Sequence, residues 1–128
     1  MAKMHAAFEI ESQFGVIVVR DSESDGDLSD WNPNERRSYV DRNAAIFAVT
    51  PGVDGPVRCE LWQGMPTEPM QHVILRERFN IAGGLEIEDP AGLINVHAFW
   101  IRGDREILVL ADDLNWPERV QIVVDPSE

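Results

Sequence analysis

The chain has 128 residues, 44% of them hydrophobic and 8% aromatic, which suits a single globular domain over 1–128 and excludes a disordered chain. Its 23 acids against 11 lysines and arginines leave a net charge of −12, a field that repels nucleic-acid phosphates and anionic lipid and attracts basic proteins or cations. No run approaches the ~18 apolar residues of a membrane span, the first residues reach acids before any long apolar stretch, and the lone Cys59 lacks an internal partner, so a reduced, cytoplasmic protein is expected.

Alternation with a period of two dominates the chain and argues for strands. Phe8 and Ile10 alternate with Ala7, Glu9 and Glu11 in a first strand. Gly15-Val16-Ile17-Val18-Val19 is apolar on both faces, the pattern of a strand covered on both sides. An acidic stretch follows, and then Asn32-Pro33-Asn34-Glu35 carries an N-cap, a proline at the first helical position and a glutamate three residues after the cap. One short helix is expected there, because strand residues resume at Ala44-Ala45-Ile46-Phe47-Ala48-Val49.

Pro51-Gly52-Val53-Asp54-Gly55-Pro56 is turn chemistry, and residues 57–62 return as a strand with Cys59 on the apolar face beside Val57 and Leu61. Val73, Leu75, Phe79 and Ile81 share one face of the next strand, with His72, Arg76, Arg78 and Asn80 on the other. Gly83-Gly84 turns the chain into Leu85-Glu86-Ile87-Glu88, and Asp89-Pro90-Ala91-Gly92 turns it into a strand over 93–101. Gly103-Asp104 makes a hairpin into 106–111, a loop runs over 112–117, and Val120, Ile122 and Val124 end the fold. Together these segments predict an all-β protein, an antiparallel β-sandwich of about eight or nine strands with one short helix.

The densest chemical signal is Asp21-Ser22-Glu23-Ser24-Asp25-Gly26-Asp27-Leu28-Ser29-Asp30, where five of ten residues are acids and none is basic. Counted from Asp21 as an EF-hand, it has acids at the first, third and fifth positions and Gly26 at the sixth. The twelfth position is Asn32, which cannot supply a bidentate carboxylate, and a strand precedes the loop where a helix should enter. An EF-hand is excluded. A different calcium site remains as an alternative, with Asp21, Asp25 and Asp27 as its ligands and Asp30, Asp112 and Asp113 in reserve. Calcium is the only cofactor the residues suggest.

Catalytic signals are missing. His5, His72 and His97 form no metal-binding motif, there is no Cys-x-x-Cys pair, and neither a nucleophile elbow nor a phosphate-binding glycine loop occurs. Cys59 reads as a buried, inert thiol and His97 as a hydrogen-bonded sheet residue. An enzyme with a carboxylate or His97 in a pocket between the sheets is the third reading, and it requires a deep cleft rather than a filled core. The tryptophans carry more. Trp31 follows the acidic stretch and Trp116 follows Asp112-Asp113, and each has a proline close by. An aromatic among acids suits contact with a basic protein, because buried aromatics hold a partner and charge steers it in. The candidate partner-binding residues are therefore Asp25, Asp27, Asp30, Trp31, Asp112, Asp113 and Trp116. The bland alternative is that each tryptophan caps the core and the acids are merely solvated.

Ser12-Gln13-Phe14 before an apolar strand, a polar loop ending in Asp30-Trp31-Asn32, and the strand Ala45-Ile46-Phe47-Ala48-Val49 form an order that resembles a known family. It is similar to the small bacterial nuclease-inhibitor family typified by competence protein J, which restrains a DNA-entry nuclease. The resemblance lies in the first half of the chain. It implies a β-rich, acidic, non-enzymatic partner of a nuclease, as also found among immunity proteins for bacterial toxins. Ser12, Gln13, Phe14 and Trp31 are the residues it carries over. A protein that blocks a nuclease profits from carboxylates laid out like a phosphate track.

Overall fold

Val57, Cys59 and Leu61 are buried while Arg58, Glu60 and Trp62 between them are only partly so, as in a strand with one face on a core. In the computed structural model, which describes residues 2–127, this segment is one of ten strands. In chain order they are β1 (Lys3–Ile10), β2 (Val16–Asp21), β3 (Ser38–Asp41), β4 (Ala44–Ala48), β5 (Val57–Gln63), β6 (His72–Ile81), β7 (Leu85–Glu88), β8 (Asn95–Ala98), β9 (Gly103–Ala111) and β10 (Arg119–Val124). They form two five-stranded sheets, β1-β5-β10-β9-β6 and β3-β4-β2-β7-β8. Ile17, Val19, Ala45, Phe47, Leu85 and Ile87 of the second sheet share one buried cluster with Leu61, Phe79, Ile107, Val109, Ile122 and Val124 of the first, a sandwich-like arrangement around a filled core. Among the described residues no helix is long and apolar enough to cross a membrane.

Several sequence expectations are corrected. There are ten strands rather than eight or nine, and the sandwich is not wholly antiparallel, because β5 and β10 run parallel. No α-helix forms at Asn32; the Asn32 carbonyl accepts the N–H groups of Glu35 and Arg36, and the Asn32 side chain accepts that of Asn34, which makes turns. The extra strand is β3, joined to β4 by a tight turn at Arg42 and Asn43, whose φ angles of 46° and 65° are both left-handed. A bulge between Val73 and Leu75 turns Val73 out of the apolar face and lets Ile74 pack on the core instead. Residues 93–101 are not one strand: β8 ends at Ala98, and Phe99 to Arg102 carry the chain to the other sheet, so β9 pairs with β6 and β10 rather than with β8.

The sheet order explains the two long connections. β2 and β3 both run antiparallel to β4, which lies between them, so the chain must return the length of the sheet after β2. The inner face is filled core, which leaves only the outer face for residues 22–37. Val18, Ala44, Ile46 and Ala48 point to that outer face and are nevertheless buried, and a Cβ built on Gly26 would lie 3.1 Å from the Ala44 Cβ. The acidic stretch is thus a strap across the sheet. Residues 64–71 do the same between β5 and β6, over an outer cluster of Leu108, Leu110 and Val123 edged by Trp62 and Met70. Buried Gln121 clips this second crossover down: its amide donates to Glu60 and to the Glu68 carbonyl, and its oxygen accepts the Met70 N–H at 2.8 Å.

The strap's closeness gives a direct test. A methyl group at Gly26 would run into the Asp41 backbone oxygen, which has no flexible end that could yield. Gly26→Ala is expected to lift the strap and cost about 2 kcal/mol, the scale of an overpacked site, as measured by urea unfolding. Unchanged stability would mean that the strap does not rest on the β3–β4 hairpin.

Candidate functional site

The strap begins at Asp21, which is 4% exposed. One carboxylate oxygen accepts the Gly83 N–H at 2.8 Å and the Glu23 N–H at 3.3 Å, and the other accepts the Ala82 N–H at 3.1 Å. Asp21 therefore ties the end of β2 to the β6–β7 turn. Beyond it, Asp25 is exposed and faces Arg42 at 3.5 Å, an ion pair too solvated to add much. The Asp27 N–H donates to Asp41 at 2.8 Å, while its own carboxylate accepts hydrogen bonds from Ser29 that hold it below the usual carboxylate range. Asp21 and Asp27 are thus committed to the backbone, and Asp25 faces the β3–β4 turn. Among the described residues, no three His, Cys, Asp or Glu side chains are gathered to hold a metal ion, and Asp21 turns away from Asp25 and Asp27. The calcium ligand set is not assembled.

The strap's far end is built around Arg37. Trp31, half-buried, donates its indole N–H to the Arg36 carbonyl at 2.9 Å, which closes the turn over 31–36. The Arg37 guanidinium donates to the Pro33 and Asn115 carbonyls and lies 4.9 Å from the centre of the Trp116 ring. This residue joins the strap to the 112–117 loop. That loop is internally fixed: Asp113 accepts the Asn115 N–H at 3.1 Å and the Trp116 N–H at 2.7 Å, and Asp112 accepts those of Glu118 and Arg119. Those two backbone bonds hold the Asp113 carboxyl below its ordinary value. The Trp116 carbonyl accepts the Thr50 hydroxyl, and the Pro117 carbonyl accepts the Thr50 N–H at 2.9 Å, which anchors the loop beside the end of β4. Trp116 as a whole is 59% exposed.

Trp31, Asp112, Asp113 and Trp116 thus belong to one end of the molecule, with exposed Asp30 next to Trp31. Asp25 and Asp27 sit toward the opposite end of the same sheet, where β2 finishes and β3 turns into β4. Two carboxylates absent from the sequence-derived set join the Trp116 end. Asp54 and Glu118 line a hollow of about 280 Å³ with Thr50 and Trp116. Glu118 had a weak signal in its place two residues after Trp116. Asp54 had none beyond turn chemistry, since its approach depends on how the Gly52–Asp54 turn folds back.

The residues carried over from the family resemblance divide. Ser12 is fully buried and its hydroxyl exchanges hydrogen bonds with the Val16 backbone, a turn-forming role, whereas Gln13 and Phe14 are exposed at the turn tip. Phe99 and Trp100 form a second exposed aromatic pair, with His5 edge-on to Trp100 at 5.4 Å. His97 bonds the Gly83 carbonyl at 2.9 Å, and Cys59 is buried with its thiol pushed up to about 12 by desolvation and by the neighbouring Glu60 charge.

No family model matches the chain, and no curated protein matches it in sequence. Solved structures do share its fold. One is the crystal structure of ComJ, inhibitor of the DNA degrading activity of NucA, from Bacillus subtilis: TM-score 0.70 and 14% identity over 97% of both chains. Another is crocagin biosynthetic gene J, with a TM-score of 0.58 and 10% identity over 100% of this chain and 99% of that one. At these identities the likeness is one of fold, and it extends the resemblance read in the first half of the sequence to nearly the whole chain.

Proposed function

We propose that this protein is a non-enzymatic binding module that docks on a basic protein, and that the partner is a nuclease whose DNA-binding surface it covers. The observation that carries the reading is the Trp116 end: an exposed indole on a pinned loop, with Asp54, Asp113 and Glu118 around it and the acidic strap leading up to it. A rigid aromatic loses little entropy on binding, and carboxylates meet the basic groups a nuclease must present to phosphates. The net charge of −12 supports the sign of the partner. The fold it shares with ComJ, an inhibitor of a DNA-degrading activity, supports the class.

Affinity capture from the native host, followed by a DNA-degradation assay on what is captured, tests the proposal. A basic nuclease silenced by stoichiometric addition is the expected result; only acidic or neutral partners, bound with salt-insensitive affinity, would overturn it. With the partner in hand, replacing Asp25, Asp27 and Asp30 by Asn should slow association about tenfold at low salt and flatten its salt dependence, with dissociation nearly constant. Stopped-flow association that ignores all three changes would remove the strap from the docking surface.

A further inference from the structure

We infer that the hollow beside Trp116 seats an arginine side chain of the bound protein. This rests on the proposed function and gives the contact a chemistry. Trp116 already accepts one guanidinium, since Arg37 lies 4.9 Å from its ring centre. Arg37 takes no part in lining the hollow, which Trp116 borders together with Thr50, Asp54 and Glu118. The hollow's other walls are Thr50, Asp54 and Glu118, so its only charged groups are two carboxylates.

A planar cation fits this set for two reasons. It can stack on the indole, and its fork of N–H groups can reach carboxylates, whereas a lysine ammonium offers a compact, strongly hydrated charge. Arg37 would repel the newcomer, but its guanidinium donates to the Pro33 and Asn115 carbonyls, and Asp113, Asp54 and Glu118 supply more negative charge nearby than it cancels. Nor is induced fit required. The Trp116 backbone is bonded to Asp113 and Thr50 before any partner arrives.

The test uses acetyl-Gly-Arg-Gly-amide as probe, with lysine and citrulline versions beside it, and follows the indole N–H resonance of Trp116 by NMR. The arginine peptide should shift that resonance saturably, the lysine peptide should bind several-fold more weakly, and neutral citrulline should leave it in place. The double variant Asp54→Asn, Glu118→Gln should weaken the arginine peptide about fivefold, the loss expected when two exposed charge pairs are removed together. The double variant's melting temperature should stay put, since both residues are exposed. Equal binding of citrulline, or shifts confined to other tryptophans, would overturn the inference. With the captured partner, the double variant should raise the dissociation rate about tenfold. A partner that binds the double variant normally refutes the arginine seat and leaves the binding module standing. A saturable peptide shift with no basic partner in the host refutes the binding module and leaves the seat standing.

Discussion

Asp21→Ala is expected to cost about 3 kcal/mol, a fall in melting temperature of roughly 12 °C for a domain of this size. The reason lies in what the carboxylate holds. Its oxygens accept the N–H groups of Glu23, Ala82 and Gly83, at a site where Asp21 is itself buried. Alanine would leave these donors without their acceptor, which is more costly than the loss of an exposed hydrogen bond. The effect should also be local in one respect: the strap starts at Asp21, so hydrogen exchange at Ser24 and Asp27 should speed up before the core opens. Asp21→Asn keeps an acceptor oxygen and should lose about half as much. A melting temperature within about 2 °C of the parent for the alanine variant would show that the carboxylate does not hold the turn. The same pair separates this role from calcium binding, because a purely structural Asp21 predicts no calcium-dependent melting shift in the parent protein.

Trp116→Ala should act in the opposite way, with a small effect on the protein and a large one on its partner. The indole is mostly exposed and its folded contact is the Arg37 guanidinium, so the expected stability loss is at most about 1 kcal/mol. A buried aromatic at the centre of an interface is worth about 2 kcal/mol or more, a thirtyfold loss of affinity that appears mainly as faster dissociation. Trp31→Ala should do the reverse. Its indole N–H closes a turn and its ring is half-buried, so the strap should loosen while the partner contact suffers only indirectly. Thermal melts and dissociation kinetics on both variants distinguish the two tryptophans. A Trp116→Ala protein that melts early and binds normally would return Trp116 to the role of a core cap.

How much was legible in the sequence depended on whether the cause was local. Cys59 could be placed on the apolar face from its neighbours alone, because side chains alternate within any strand whatever pairs with it. The helix start at Asn32 carried every local signal and still formed turns. β3 already begins at Ser38, which leaves only residues 33–37 after the cap, too few for a helix that could repay its nucleation. Val73 failed for a related reason, since a bulge shifts the phase of alternation without marking the sequence.

The acidic stretch shows where the division lies. Residues 15–19, apolar on both faces, announced a strand covered on two sides, and that much follows from composition. What covers it does not, because a cover is chosen by strand order, and strand order depends on pairings between residues far apart in the chain. Once β4 lies between β2 and β3, a crossover must pass over the outer face, and the acidic residues are the chain that passes. The sequence alone determined their charge. Only the tertiary structure made Asp21 a buried clamp, left Asp25 and Asp27 at one end, and brought Asp54 and Glu118 to Trp116 at the other, since each depends on a connection's route across a sheet rather than on its neighbours.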